Sequence, residues 1–260
     1  MGDRAEVEIL VPPGTEVHEY QAKPGNIQAI ASANILVKNG LGLEAFLADT
    51  VKNAGNSKLL EIDTSKGIQP LEATSPTINP SESATDAEAD RHLGNPHIWL
   101  DPVLVKQQVQ NIRDGLMLAD PANKVTYQAN AAAYIQQLEE LDQQFQARLL
   151  PYRGCTYITF HDAYPYLAQR YQLKQLAVVQ IPEDSLSPAD VQKTVAAVKK
   201  FKVKALLGES GVDNKLLQSL SQDLKLTLSS LDSMETGSLE PQSYFTAMKN
   251  NLQTLEAACK

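Results

Sequence analysis

The chain has 260 residues, of which 43% are hydrophobic and 21% are charged, and its formal net charge is −8. This length is sufficient for one large domain or two lobes, and the composition is that of a folded globular protein. Such an acidic chain does not suit a non-specific nucleic-acid surface, and without a run of 18 apolar residues it has no predicted membrane span. Residues 1–6 lack the basic and apolar regions of a signal peptide, which is typical of a cytoplasmic chain, a mature form or a trimmed one.

Strands and helices alternate along the first part of the chain. The predicted strands are residues 7–11, 35–37 and 59–62, and predicted helices cover residues 24–31, 43–51 and 102–118. Pro24 and Pro102 each suit the first turn of a helix, and Asp101 suits the N-cap position before Pro102. Residues 65–95 are rich in proline, serine, threonine and acidic residues, which predicts a long loop.

Residues 121–150 contain the clearest helical pattern. Apolar residues recur there at steps of three and four, at Tyr127, Ala131, Tyr134, Leu138, Leu141, Phe145 and Leu149. Such spacing places one apolar stripe along the whole helix. A helix of this span is about 45 Å long at 1.5 Å per residue. We interpret it as a rigid strut between two lobes.

The second half repeats the alternation. The predicted strands are residues 155–160, 173–179, 203–207 and 224–228, and predicted helices begin near residues 163, 187, 216 and 241. Alternation in both halves predicts an α/β protein with two parallel-sheet lobes. The predicted division is an N-terminal α/β lobe at residues 1–120, a linking helix at 121–150 and a C-terminal α/β lobe at 151–260. In such sheets ligands bind beyond the carboxyl ends of the strands.

Two cysteines, Cys155 and Cys259, are far apart in the sequence and do not form a CxxC pair. This spacing argues against redox or zinc-ribbon chemistry. A disulfide between them would tie the C-terminal helix to the start of the second half of the chain. The alternative is a pair of buried free thiols, and the sequence leaves both open.

Three of the four histidines are predicted to lie at the ends of strands or before a helix. These are His18, His97 and His161, and the fourth is His92. Their wide spacing excludes a local metal finger, so a shared metal site requires the fold to bring them together. The alternative is that each is an ordinary surface or hydrogen-bonded imidazole.

Several carboxylates are predicted near the edges of the same cleft: Glu16, Glu19, Asp162, Glu209 and Asp232. Asp232 follows the last predicted strand and is a candidate fourth metal ligand through oxygen. Asp101 is better explained as a helix cap. The sequence contains no GxSxG, HExxH, Walker or GxGxxG motif, so we predict that the chain is not an enzyme. The enzymatic alternatives are His161 as a general base and a catalytic zinc ion with an open position.

Four segments resemble motifs of the metal-binding solute-binding proteins that serve zinc and manganese ABC importers. Residues 95–102 read Asn-Pro-His-Ile-Trp-Leu-Asp-Pro and resemble the second ligand motif of that family. This segment is the most specific signal in the chain. Residues 11–20 and 159–167 resemble the first and third ligand motifs, and residues 39–44 resemble the turn after the second strand. The resemblance covers nearly the whole chain in the same order.

The resemblance implies two α/β lobes joined by one long rigid helix, with the metal in the cleft between the lobes. It implies a high-affinity zinc-binding periplasmic component of an ABC importer that delivers Zn²⁺ to the membrane permease. His18, His97 and His161 are the implied ligands of one primary zinc site, and Asp232 falls where the family often has a fourth carboxylate. The expected protein is a monomer. The alternatives are a manganese- or iron-binding member and a metal-dependent surface adhesin.

This chain departs from many zinc members of the family in the loop before the second motif. Residues 81–90 are acidic but contain no histidine, and we expect His92 to lie outside the primary site. Because imidazoles must lose their protons before they bind metal, the affinity for zinc is expected to fall as the pH drops through about 6.5.

Overall fold

Parallel strands form two separate sheets in the computed structural model, which describes residues 5–18, 20–71, 94–179, 187–209, 215–236, 240 and 242–260. The strands are β1 (Ile35–Lys38), β2 (Leu60–Asp63), β3 (Thr156–His161), β4 (Lys174–Val179), β5 (Ala205–Glu209) and β6 (Thr227–Leu231). The helices are α1 (Pro24–Ser32), α2 (Leu47–Ala54), α3 (Pro102–Ala119), α4 (Lys124–Leu149), α5 (Pro165–Arg170), α6 (Pro188–Phe201), α7 (Lys215–Leu224) and α8 (Ser243–Cys259). None of the helices in these ranges is long and apolar enough to cross a membrane.

The larger sheet has the strand order β4-β3-β5-β6, and all of its pairings are parallel. Strands β3, β4 and β5 are buried on both faces, since neighbouring residues enter different cores. Tyr157 and Leu207 face a core formed with α4, α5 and α8, whereas Ile158 and Leu206 face the core against α6 and α7. This two-sided burial explains why the strands read as continuous apolar runs in the sequence.

The long helix α4 buries the apolar stripe that the sequence indicates. Its buried residues are Tyr127, Ala131, Leu138, Leu141, Phe145 and Leu149, and Tyr134 packs against the same core while half-buried. The helix has 26 residues, or about 39 Å at 1.5 Å per residue. In the sequence, α4 lies between the parts of the chain that carry the two sheets. The core that α4 packs into also includes Leu100 and Val105 from the first of these parts. The division at residues 120 and 150 stays a prediction.

Two strand predictions were wrong. Residues 7–11 do not form a strand; β1 pairs only with β2 among the described residues, and Val7 is 70% exposed. Without a neighbouring strand, an apolar run has no ladder to join. The last strand begins at Thr227 rather than at Leu224, because α7 extends to Leu224. Lys225, the residue directly after the helix, has a left-handed φ of +54°.

A disulfide joins Cys155 and Cys259, which settles the question that the sequence left open. Cys155 directly precedes β3 and Cys259 is the last residue of α8. The bond therefore fastens the C-terminal helix to the amino end of β3, one of the two inner strands of the larger sheet. It closes a loop across 104 residues.

Candidate metal centre

His161 is held at the carboxyl end of the larger sheet by a carboxylate on the adjacent strand. It is the last residue of β3, and Glu209 is the last residue of β5, its parallel neighbour. The His161 Nδ1 and Glu209 Oε2 atoms are 2.6 Å apart, and both side chains are buried. When Nδ1 donates its proton to this carboxylate, Nε2 is the ring nitrogen that faces the cluster.

His97 is oriented by the residue two positions before it. The Asn95 Oδ1 atom accepts a hydrogen bond from the His97 backbone N–H at 3.0 Å and lies 2.9 Å from the ring Nδ1. Asn95 is itself anchored, since its Nδ2 donates to the Asp162 carbonyl oxygen at 2.7 Å. His97 Nε2 is thereby turned toward His161 Nε2, at a distance of 3.3 Å.

Glu235 supplies the carboxylate at which the histidines converge. Its Oε1 atom lies 3.0 Å from His18 Nε2 and 2.8 Å from His97 Nε2, and its Oε2 atom lies 3.7 Å from His161 Nε2. The Ser233 hydroxyl donates to Glu235 Oε2 at 3.1 Å. One ligand atom from each of His18, His97, His161 and Glu235 lies within 4.8 Å of the other three.

The structure therefore brings the three predicted histidines together but gives Asp232 another position. Asp232 is not a member of the four-residue cluster. Its Oδ1 accepts from the Met234 backbone N–H at 2.8 Å, and its backbone N–H donates to Asn251 Oδ1 at 2.8 Å. Asp232 shapes the turn that leads from β6 to Glu235.

Sequence reasoning missed Glu235 because two acidic residues follow the last strand, and it chose Asp232, which is nearer to the strand and matches the family resemblance. With β6 ending at Leu231, the loop beyond the strand contains both Asp232 and Glu235. The only signal in the sequence for Glu235 was that an acidic residue follows the carboxyl end of the last strand. His92 and Glu19, the other candidates near the predicted ligand loops, lie outside the described residues.

The segment that carries His97 is fastened to the C-terminal part of the chain by polar contacts. The Trp99 indole N–H donates to the Ser233 carbonyl oxygen at 2.7 Å, and the Tyr244 hydroxyl donates to the Trp99 carbonyl oxygen at 3.0 Å. Arg170 Nε donates to Asp101 Oδ2 at 2.8 Å. Asp101 also accepts from the Val103 backbone N–H, so it caps α3 as the sequence indicates. These contacts do not involve a metal ion.

The four donors have opposing electrostatic tendencies. Burial lowers the pKa of His97 to about 4, despite its contact with Glu235. Burial also lowers the pKa of His161, but hydrogen bonds with Glu209 and Glu235 outweigh it and raise that pKa to about 10. Burial alone would raise the pKa of Glu235, but the three histidines hold it well below its usual range. Several ring nitrogens thus converge on one ionised carboxylate, an arrangement that favours a bound cation.

The geometry of the cluster is compatible with a tetrahedral metal ion. Donors about 2.0–2.1 Å from a tetrahedral zinc ion are about 3.3–3.4 Å from one another. The separations given above between Nε2 and the two Glu235 oxygen atoms run from 2.8 to 3.7 Å, and one donor atom from each of the four residues lies within 4.8 Å of the others. Three imidazoles and one carboxylate form a nitrogen-rich set, which suits Zn²⁺ better than the oxygen-rich sets preferred by Mn²⁺.

The apparent zinc affinity should rise about tenfold per pH unit between about pH 7 and pH 9. His161 keeps its proton up to a pKa of about 10, so zinc must displace that proton throughout this range. The sequence alone predicts a fall in affinity only below about pH 6.5, so this pH range distinguishes the two predictions. The measurement is competition with a chelator of known protonation constants. An affinity that stays constant above about pH 7.5 would contradict it, and His97→Ala should keep the slope while binding more weakly.

Comparison with known proteins places the chain in a family. The family model of the zinc-uptake complex component A, periplasmic (ZnuA), matches residues 1–258. The high-affinity zinc uptake system protein ZnuA of Bacillus subtilis (strain 168) is 29% identical over 98% of this chain and 81% of its own length. The zinc-binding lipoprotein AdcA of Streptococcus pneumoniae (strain ATCC BAA-255 / R6) is 30% identical over 98% of this chain, which spans 52% of that longer protein.

The fold agrees with the same family. A crystal structure of ZnuA superposes with a TM-score of 0.82 and 28% identity, covering 100% of this chain and 92% of that one. The α/β architecture with two lobes, parallel sheets and a long connecting helix is therefore confirmed. Since the family model covers almost the entire sequence, this chain belongs to the ZnuA family of periplasmic zinc-uptake components.

Proposed function

We propose that this chain captures one Zn²⁺ ion in the periplasm and delivers it to the membrane permease of an ABC importer. The observation that carries the proposal is the convergence of His18, His97, His161 and Glu235 within 4.8 Å. Three neutral imidazoles suit zinc, and a single carboxylate reduces its buried charge. The ion is the cargo of the protein.

A transport role fits the donor set better than catalysis does. Four protein donors complete a tetrahedral zinc ion, whereas a catalytic zinc keeps an open position for water or substrate. The site is also largely shielded from solvent, since the side chain of His18 is 11% exposed and that of Glu235 is 2% exposed. A shielded four-donor site holds an ion without offering it to a substrate. We expect the protein to act as a monomer.

Calorimetric titration with zinc and with manganese tests the proposal. We expect one tight zinc site, much weaker manganese binding, and a large loss of zinc affinity in His97→Ala. A zinc titration of His92→Ala is the matched control, and its affinity should be unchanged. Equal or tighter manganese binding would favour the manganese alternative, and no tight site for either metal would reject metal capture. Zinc uptake by the permease reconstituted in vesicles, with and without this chain, tests delivery.

Zinc binding should change the spacing of the two lobes by less than about 2 Å, the range of pre-organised binding proteins. The helix α4 is continuous over 26 residues, and the Trp99, Tyr244 and Arg170 contacts fasten the lobes without metal. Spin labels at the exposed positions of Lys58 and Lys174 report this distance by pulsed electron resonance. A large shift on adding zinc would indicate a hinged closure instead.

A further inference from the structure

We propose that Glu209 is a positioning residue of the zinc site, which places a negative charge beside the loaded centre and fixes His161 as a ligand. The inference rests on the proposed function and extends it to a residue that does not touch the ion. Glu209 is absent from the four-donor cluster, yet its carboxylate lies 2.6 Å from Nδ1 of His161, the ring nitrogen on the other side from the cluster.

The charge balance of the site requires such a group. Zn²⁺ bound by three neutral imidazoles and one carboxylate leaves one net positive charge in a buried position. An uncompensated buried charge is costly, and it is tolerated when an opposite charge lies nearby. Glu209 is 5% exposed and ends the strand beside His161, so its carboxylate places a compensating negative charge next to the loaded centre. The carboxyl group of Glu16 also interacts electrostatically with Glu235, His18 and His161, but it makes no contact with a ring Nδ1.

His97 and His161, the two best-buried histidines, differ in the group that faces the ring Nδ1 atom. His97 Nδ1 faces a neutral amide oxygen of Asn95, whereas His161 Nδ1 faces an anionic carboxylate. A carboxylate partner makes an imidazole a stronger electron donor and holds its ring in one orientation. His161 should therefore be the strongest nitrogen donor of the site. Glu209 acts on the metal through this ring.

The test removes the charge but keeps the hydrogen-bond acceptor. After correction for the proton that zinc displaces from His161, Glu209→Gln should weaken zinc binding about tenfold, the lower end of the range for such partners, because the amide oxygen can still accept the Nδ1 proton. Asp120→Asn is the matched control. It also removes one negative charge from a hydrogen-bonded carboxylate, which accepts from the Tyr127 hydroxyl at 2.7 Å, but Asp120 lies outside the cluster. Its zinc affinity should equal that of the wild type.

Cobalt absorption separates a charge effect from a displaced ring. Co²⁺ in the wild-type chain should give the intense visible bands of a tetrahedral site, and Glu209→Gln should keep those bands while binding more weakly. A zinc affinity of Glu209→Gln within about twofold of the wild type, which is a difference in binding free energy of under about 0.5 kcal/mol, would overturn the proposal. Loss of the tetrahedral bands would overturn the charge-balancing role, because it would mean that the ring has moved. Failure of the wild-type chain to bind zinc would reject the proposed function itself.

Discussion

Glu235→Ala should weaken zinc binding about 100-fold or more, the upper end of what partners beyond the direct ligands contribute. Glu235 is the only carboxylate in the four-residue cluster of the described chain, and its two oxygen atoms face three imidazoles. Its removal takes away one donor and one negative charge at the ion. Chelator competition at fixed pH measures the affinity.

Asp232→Asn provides the comparison that separates the two acidic residues of this loop. The Asn side chain can still accept from the Met234 backbone N–H, so the turn after β6 is preserved. We expect its zinc affinity to stay within about threefold of the wild type, which is under 1 kcal/mol. The opposite ranking, with Asp232→Asn losing more affinity than Glu235→Ala, would identify Asp232 as the ligand and reject the geometry described above.

Removal of the disulfide should lower the free energy of unfolding by about 3–5 kcal/mol. The bond between Cys155 and Cys259 closes a loop of 104 residues, and it restricts the unfolded chain more than a short loop would. The double variant Cys155→Ala/Cys259→Ala avoids leaving a free thiol. Urea denaturation of this variant and of the wild type, each with and without reductant, measures the effect.

Reductant should lower the denaturation midpoint of the wild type to that of the double variant, and it should leave the variant unchanged. Zinc affinity should be the same in both proteins. Cys155 and His161 lie at opposite ends of β3, about 20 Å apart at 3.3 Å per residue. A reductant-insensitive wild type would contradict the contribution of the bond. Such disulfides persist in oxidising compartments, which include the bacterial periplasm.

Periodicity in the sequence determined the architecture. The steps of three and four along residues 121–150 predicted one long helix, because only α-helical geometry places those residues on one face. Its structure, Lys124–Leu149, buries six of the seven residues of that stripe. Continuous apolar runs predicted β3, β4 and β5, since strands covered on both faces need no polar side.

The sequence motifs identified His18, His97 and His161 as candidate ligands, but they did not predict how the three side chains are arranged. Local residue patterns placed His18, His97 and His161 at loop ends, and resemblance suggested a common metal. The 79- and 64-residue gaps between them can be closed only by the fold. In the structure, Asn95 turns one ring, Glu209 holds another, and the parallel β3 and β5 bring their ends to the same edge of the sheet.

The tertiary structure alone decided which acidic residue joins the three histidines in the cluster, the disulfide and the failed first strand. Asp232 and Glu235 are equally acidic and three residues apart, so their roles depend on where β6 ends and how the next turn is closed. The pairing of Cys155 with Cys259 depends on α8 returning to the start of β3. Residues 7–11 are apolar enough for a strand, but a strand also needs a neighbour to accept its hydrogen bonds. Each of these outcomes rests on contacts between residues distant in sequence, which local patterns do not encode.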